Sequence, residues 1–197
     1  MCRYYLTKYV KVIYSHQYLD NGVAFRWVLW RRARGKLKTM SLRDRGADEM
    51  DFIPFYSRFK NIAEKETRSI KISASDLGVP RGEYMLLENY CTDKKCDCRK
   101  VMINVVEVNP PRRILATIGY GWESVAFYTK WMHGDKEIAR MITGAYLELG
   151  GIQSQYAQHF LEVFKTSLTD EYVNTIKRHY GMFKDYSHRK KKRISYS

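Results

Sequence analysis

Residues 83–108 read EYMLLENYCTDKKCDCRKVMINVVEV, two β-forming runs on either side of a loop that holds three cysteines. The runs 83–90 and 101–108 are rich in Val, Ile, Leu, Met and Tyr, residues that fit a pleated, half-buried surface. A strand over each, joined as an antiparallel hairpin, accounts for both. Cys91 then leaves one strand while Cys96 and Cys98 enter the next, an arrangement in which three thiols can converge at the hairpin end without distorting the sheet. Towards the C-terminus, Asn109-Pro-Pro111 turns the chain, because proline cannot donate to a ladder, and residues 114–120 form the next strand. Towards the N-terminus, a loop over 76–80 follows a short strand over 70–74.

The first 45 residues also read as β. Asp20-Asn21-Gly22 is a hairpin turn signal. After it Val23, Phe25, Trp27 and Leu29 alternate with Ala24, Arg26, Val28 and Trp30. Residues 37–42 suggest a third strand. Residues 43–68 are polar, contain Pro54, and read as a loop with a short helix near 59–66.

From Trp122 the period becomes helical. Val125, Tyr128, Trp131 and Met132 mark a first helix, which Gly134 ends, and Asp135 is placed to cap the next. Ile138, Met141, Ile142, Ala145 and Leu149 mark a second helix ending at Gly150-Gly151. Ile152, Tyr156, Phe160, Val163 and Phe164 mark a third. Thr169 caps a fourth that Gly181 closes, with Asp170 and Glu171 in its first turn and Lys177 and Arg178 near its end, an order that suits the helix dipole. Strands first and helices last is the α+β pattern, here an antiparallel β-sheet with a C-terminal layer of about four helices. The expected organisation is a basic β-rich N-terminal region over 1–75, a cysteine-cluster sheet with helices over 76–186, and a disordered basic tail over 187–197.

The 197 residues carry a formal charge of +14, and it is unevenly spread. Residues 1–50 hold 11 Lys and Arg against 4 Asp and Glu, and the tail 187–197 holds 5 against none. Residues 101–186 balance at 9 against 9. Charge gathered at the two ends points to a polyanion-binding surface more than to general solubility. Arg26, Arg31, Arg32, Arg34, Lys36 and Lys38 offer phosphate contacts, with Trp30 among them able to stack on an unpaired base. Arg189, Lys190, Lys191, Lys192 and Arg193 add to this from the tail. The expected partner is DNA or RNA, with an acidic protein as the alternative. No apolar run approaches the roughly 18 residues of a spanning helix, and the N-terminus lacks the apolar stretch of a secretory signal. No membrane partner and a cytoplasmic location are expected.

Cysteines in such a chain favour metal or redox roles over a disulfide framework. Zinc takes four ligands, usually Cys or His. Cys91, Cys96 and Cys98 leave one position for a histidine, which closes a structural site, or for water, which leaves it open. His179, among aromatic neighbours near the end of the last helix, is preferred to His133. Asp97, between two cysteines in an extended segment, faces away. Zinc fingers and ribbons usually offer two cysteine pairs, and there is one group here, so a redox pair such as Cys91 with Cys98 stays open. Cys2 reads as a small buried residue. The catalytic motifs G-x-S-x-G, the P-loop and H-E-x-x-H are all missing from the sequence. Glu88, Asp97, Glu107 and Glu123 on or beside the central strands would serve a metal-dependent nuclease if they converged on one ion. A third reading is a protein-interaction factor of a mobile element or bacterial system.

From Tyr84 to Lys184 the chain resembles a family of uncharacterised bacterial proteins that often carry a C-terminal SEC-C metal-binding motif. The resemblance rests on Glu88-Asn-Tyr-Cys91 with Cys96-Asp-Cys-Arg99, on Ala116-Thr-Ile-Gly-Tyr-Gly-Trp-Glu123 with Phe127-Tyr128 and Trp131, on Gln153-Ser154, and on Arg178-His-Tyr180 with Phe183-Lys184. It covers about half of the chain. It implies a metal-binding role for Cys91, Cys96 and Cys98, and no activity. The SEC-C cysteines are missing at the end of this chain, where the basic tail stands instead.

Overall fold

A computed structural model describes residues 5–7, 52–73, 78–93, 95–109 and 113–194, with side chains over 52–73, 78–93, 95–109 and 113–186. The expected turn at Asp20-Asn21-Gly22, the strands around it, Cys2 and the basic residues from Arg26 to Lys38 lie outside the described residues.

Two long strands form the centre, β4 (Gly82–Cys91) and β5 (Lys100–Glu107), followed by β6 (Ile114–Gly121). They pair as an antiparallel meander, with Glu88 opposite Ile103 and Ile103 opposite Ile118. Outside them lie β1 (Tyr5–Thr7), β2 (Phe52–Pro54), β3 (Ser69–Ile72) and β7 (Gly144–Leu147). The seven-stranded sheet runs β1-β3-β4-β5-β6-β7. β2 shares with β3 the edge of β4 away from β5: Phe52 pairs with Cys91, and Ser69 with Met85. Between β2 and β3 the chain leaves the sheet through a 3-10 turn (Phe55–Ser57) and helix α1 (Lys60–Glu66). Pro54 stands on this edge at the end of β2, where a missing N–H is tolerated.

The helices are α2 (Val125–Trp131), α3 (Lys136–Ile142), α4 (Ala157–Ser167) and α5 (Asp170–Ile194). The α+β architecture with its helices mostly C-terminal is as expected. Side chains alternate along each strand, and the two faces of β4 meet different partners. Tyr84, Leu86 and Tyr90 join Val101, Ile103, Val105, Ala116 and Ile118 in the main core, against Phe160 and Phe164 of α4 and Tyr172, Ile176 and Phe183 of α5. Cys91 and Met102 face the other way, with Phe52, Cys98 and Trp131.

The caps fall where expected. Asp135 accepts from the Ile138 N–H, and the Thr169 hydroxyl accepts from the Tyr172 N–H. Two helix ends differ. α3 stops at Ile142 instead of continuing to Leu149, because Gly144 takes φ +75 and the following residues pair with β6 as β7. α5 passes through Gly181 without ending and runs to Ile194, into the segment expected to be a free tail. A glycine inside a helix costs about 1 kcal/mol, and burial of Phe183 in the core outweighs that.

Candidate metal centre

The hairpin end is built as its residue order requires. Cys91 is the last residue of β4, and its pairing with Phe52 fixes its position. The chain then turns, with the Asp93 side chain accepting from the Lys95 N–H at 2.8 Å and the Asp93 carbonyl accepting from the Cys96 N–H at 3.4 Å. Cys96 and Cys98 follow. Arg99, the last residue before β5, sits at φ +43, a left-handed conformation that L-residues other than glycine rarely adopt. Several contacts hold it there. Its N–H donates to the Tyr180 hydroxyl, its carbonyl accepts from Tyr128 at 2.7 Å, and its guanidinium spans Asp97 and Glu123 over the Phe127 ring.

The sulfurs of Cys91, Cys96 and Cys98 lie within 4.8 Å of one another and can hold a metal ion. Cys91 and Cys98 are buried and Cys96 is partly exposed. Phe52, Met102, Trp131 and Tyr180 wall them in. The thiols polarise one another. Cys98 is held well below the ordinary thiol range, first by hydrogen bonds from Cys91 and Cys96 and then by the Lys184 and Lys100 charges. Cys96 is pushed up, by its hydrogen bonds to Cys91 and Cys98 and by burial. Three sulfurs this close, one of them favoured as thiolate, suit a soft divalent ion that replaces the shared protons. Asp97 turns outward to Arg99, as expected.

His179 stands outside the sulfur group, contrary to the expectation that it would complete it. It is buried with Glu88, on the opposite face of β4 from Cys91, since residues three apart on a strand point to opposite sides. Its Nδ1 stands 2.6 Å from Glu88 Oε2 and its Nε2 3.0 Å from Glu66 Oε2, so both ring nitrogens are taken by carboxylates. The ring stacks on Phe55 at 4.1 Å. Tyr90 donates to the same Glu88 oxygen, and Arg178 donates to Glu66. A cleft with space for about one water opens beside this network, lined by Pro54, Phe55, Thr67 and Leu87.

The residues of α5 that do meet the cysteine loop are Tyr180, whose hydroxyl donates to Asp97, and Lys184, whose ammonium donates to the Asp93 and Cys96 carbonyls. Their spacing of four places them on one helix face, and that spacing is the sequence signal that marks them. His133, the other histidine considered, takes φ +54 in the turn after α2 and stands outside the sulfur group.

The carboxylates of the nuclease reading do not converge. Glu88 is with His179, Asp97 and Glu123 are with Arg99, and Glu107 is with Arg113. Among the described residues the three cysteines are the one group suited to an ion. The side chains of Arg189, Lys190, Lys191, Lys192 and Arg193 lie outside the described residues, although their backbone belongs to α5. No helix among the described residues is long and apolar enough to cross a membrane. Comparison with protein-family models, with curated proteins and with solved structures finds no match.

Proposed function

We propose that this protein is a zinc-binding module that associates with nucleic acid, with the metal in a structural role. The observation that carries the metal reading is the meeting of three sulfurs behind an apolar wall. Zn–S bonds of about 2.3 Å need only small side-chain rotations from the arrangement described. The fourth tetrahedral position goes to water or to a side chain outside the described residues. A structural role follows from where the cysteines stand: the ion ties the end of β4 to the start of β5. Reduced thiols of this kind belong in the cytoplasm.

The nucleic-acid part rests on charge. The Lys and Arg excess lies at residues 1–50 and 187–197, and α5 carries the second cluster beyond Lys184 as a helical extension. Native mass spectrometry of protein purified without chelator tests the metal. One zinc per chain, lost on Cys96→Ser, is the expected result, and a metal-free chain with oxidisable thiols overturns it. Fluorescence anisotropy with single-stranded and duplex oligonucleotides tests the partner. Affinity is expected to fall with salt, with a logarithmic slope of about −0.7 per phosphate neutralised on single strands. Removal of residues 187–197 is expected to flatten that slope. Absence of binding at low salt, together with capture of an acidic protein, would replace nucleic acid by that partner.

A further inference from the structure

Lys184 is a lysine of the C-terminal helix, yet its ammonium is spent on the cysteine loop. It donates to the Asp93 carbonyl at 2.8 Å and to the Cys96 carbonyl at 2.9 Å, across 91 and 88 residues of chain. Those two carbonyls bracket the turn that the Cys96 N–H closes on Asp93. One side chain thus holds both ends of the turn that presents the most exposed of the three sulfurs. Tyr180, one helical turn earlier, grips the other side of Cys96 through Asp97 and Arg99.

Charge supports the same assignment. A divalent ion with three thiolates carries a net charge of −1, and placing it in an apolar wall is costly without a nearby cation. Arg99 is committed to Asp97 and Glu123, and Lys100, whose charge also reaches Cys98, is shared with the buried Glu148 at 3.9 Å. Lys184 instead donates to neutral carbonyls, so its charge faces the loop uncancelled by those contacts.

We infer that Lys184 is a positioning residue of the metal centre, which keeps the Cys96 turn in ligating shape, offsets the charge of the thiolates, and ties occupancy of the site to docking of the C-terminal half of α5. This rests on the metal reading of the cysteine cluster. The linkage runs both ways: metal tightens the helix on the loop, and the docked helix tightens the metal. The basic residues 189–193 lie on the helix immediately beyond Lys184, so the metal sets how that segment is presented.

Zinc affinity, measured by competition with a chromophoric chelator on wild type, Lys184→Met and Lys184→Arg, tests this. Loss of a residue that supports metal ligands weakens affinity roughly 10–100-fold. Lys184→Met is expected in that range, and Lys184→Arg, which can still donate to both carbonyls, is expected to recover most of it. With Co2+ in place of zinc, the visible bands are expected to shift in Lys184→Met, reporting altered geometry, and to return in Lys184→Arg. Hydrogen exchange is expected to show zinc protecting residues 180–194 in wild type and not in Lys184→Met. Lys184→Gln, a donor without the charge, carries the test if Lys184→Met does not fold. Equal zinc affinity and equal protection in wild type and the uncharged variant overturn the inference. A wild type that takes up no zinc overturns the metal reading itself, a result visible before any variant is made.

Discussion

Glu88 and Cys91 stand three residues apart on one strand and serve different chemistries, because the pleat sends them to opposite faces. Glu88 meets His179, and His179 meets Glu66, so one buried imidazole joins β4, α1 and α5. Truncating it to alanine leaves Glu88 buried without that partner and removes the stack on Phe55. Leaving a buried polar group without its hydrogen-bond partner costs about 1–3 kcal/mol. His179→Ala is therefore expected to lower the urea midpoint strongly while still binding one zinc per chain. Lost zinc with unchanged stability would return His179 to the metal site. The cysteine cluster was readable from the sequence, and His179 was singled out there, but as a ligand and not as the partner of Glu88. Which residue it meets was not readable, because that depends on which face of β4 the last helix crosses, a contact spanning 91 residues.

At the level of elements, the central strands were legible, whereas β2, which falls in a stretch read as a loop, β7, which falls in a stretch read as helix, and the helix ends were not. The apolar runs of β4, β5 and β6 leave little choice but a central sheet, and Asp135 and Thr169 announce their helices by side-chain chemistry. β7 gives no such sign. Ala145 and Leu147 fit a strand or a helix, and Gly144 decides between them by taking a positive φ. Packing of β7 against β6 then depends on the absence of side chains at two β6 positions. A Cβ on Gly119 would strike the Tyr146 ring, and one on Gly121 would strike the Ile142 carbonyl and the Tyr128 hydroxyl. Backbone cannot move aside as a flexible side chain can, so Gly121→Ala should act as overpacking, which costs about 1–3 kcal/mol. The expected result is loss of hydrogen-exchange protection confined first to β7 and the end of α3. Unchanged protection there would mean that the turn after α3 yields freely.

For the molecule as a whole, alkaline pH is the sensitive direction. Burial holds the hydroxyls of Tyr90 and Tyr172 well above the ordinary tyrosine value, with Glu88 adding to both, and burial does the same for Tyr146. In the unfolded chain these groups ionise near pH 10. Above that pH the unfolded state sheds protons that the folded state keeps, so stability falls as pH rises, and it is intact below. A phenolate absorbance titration should show exposed tyrosines first and the buried set released together with unfolding. A smooth titration of every tyrosine with the fold retained would contradict their burial. The chain also separates its contacts by range. All three thiols sit within one hairpin, whereas Lys184 and His179 reach back 91 residues each to Asp93 and Glu88. Short loops close quickly and at small entropic cost. The expected order in time is therefore the hairpin first and the helix last. Zinc present during refolding should speed the folding limb of the chevron, and His179→Ala should chiefly speed the unfolding limb. The metal in that case acts as a seed, in place before the second half of the chain has anything to pack against.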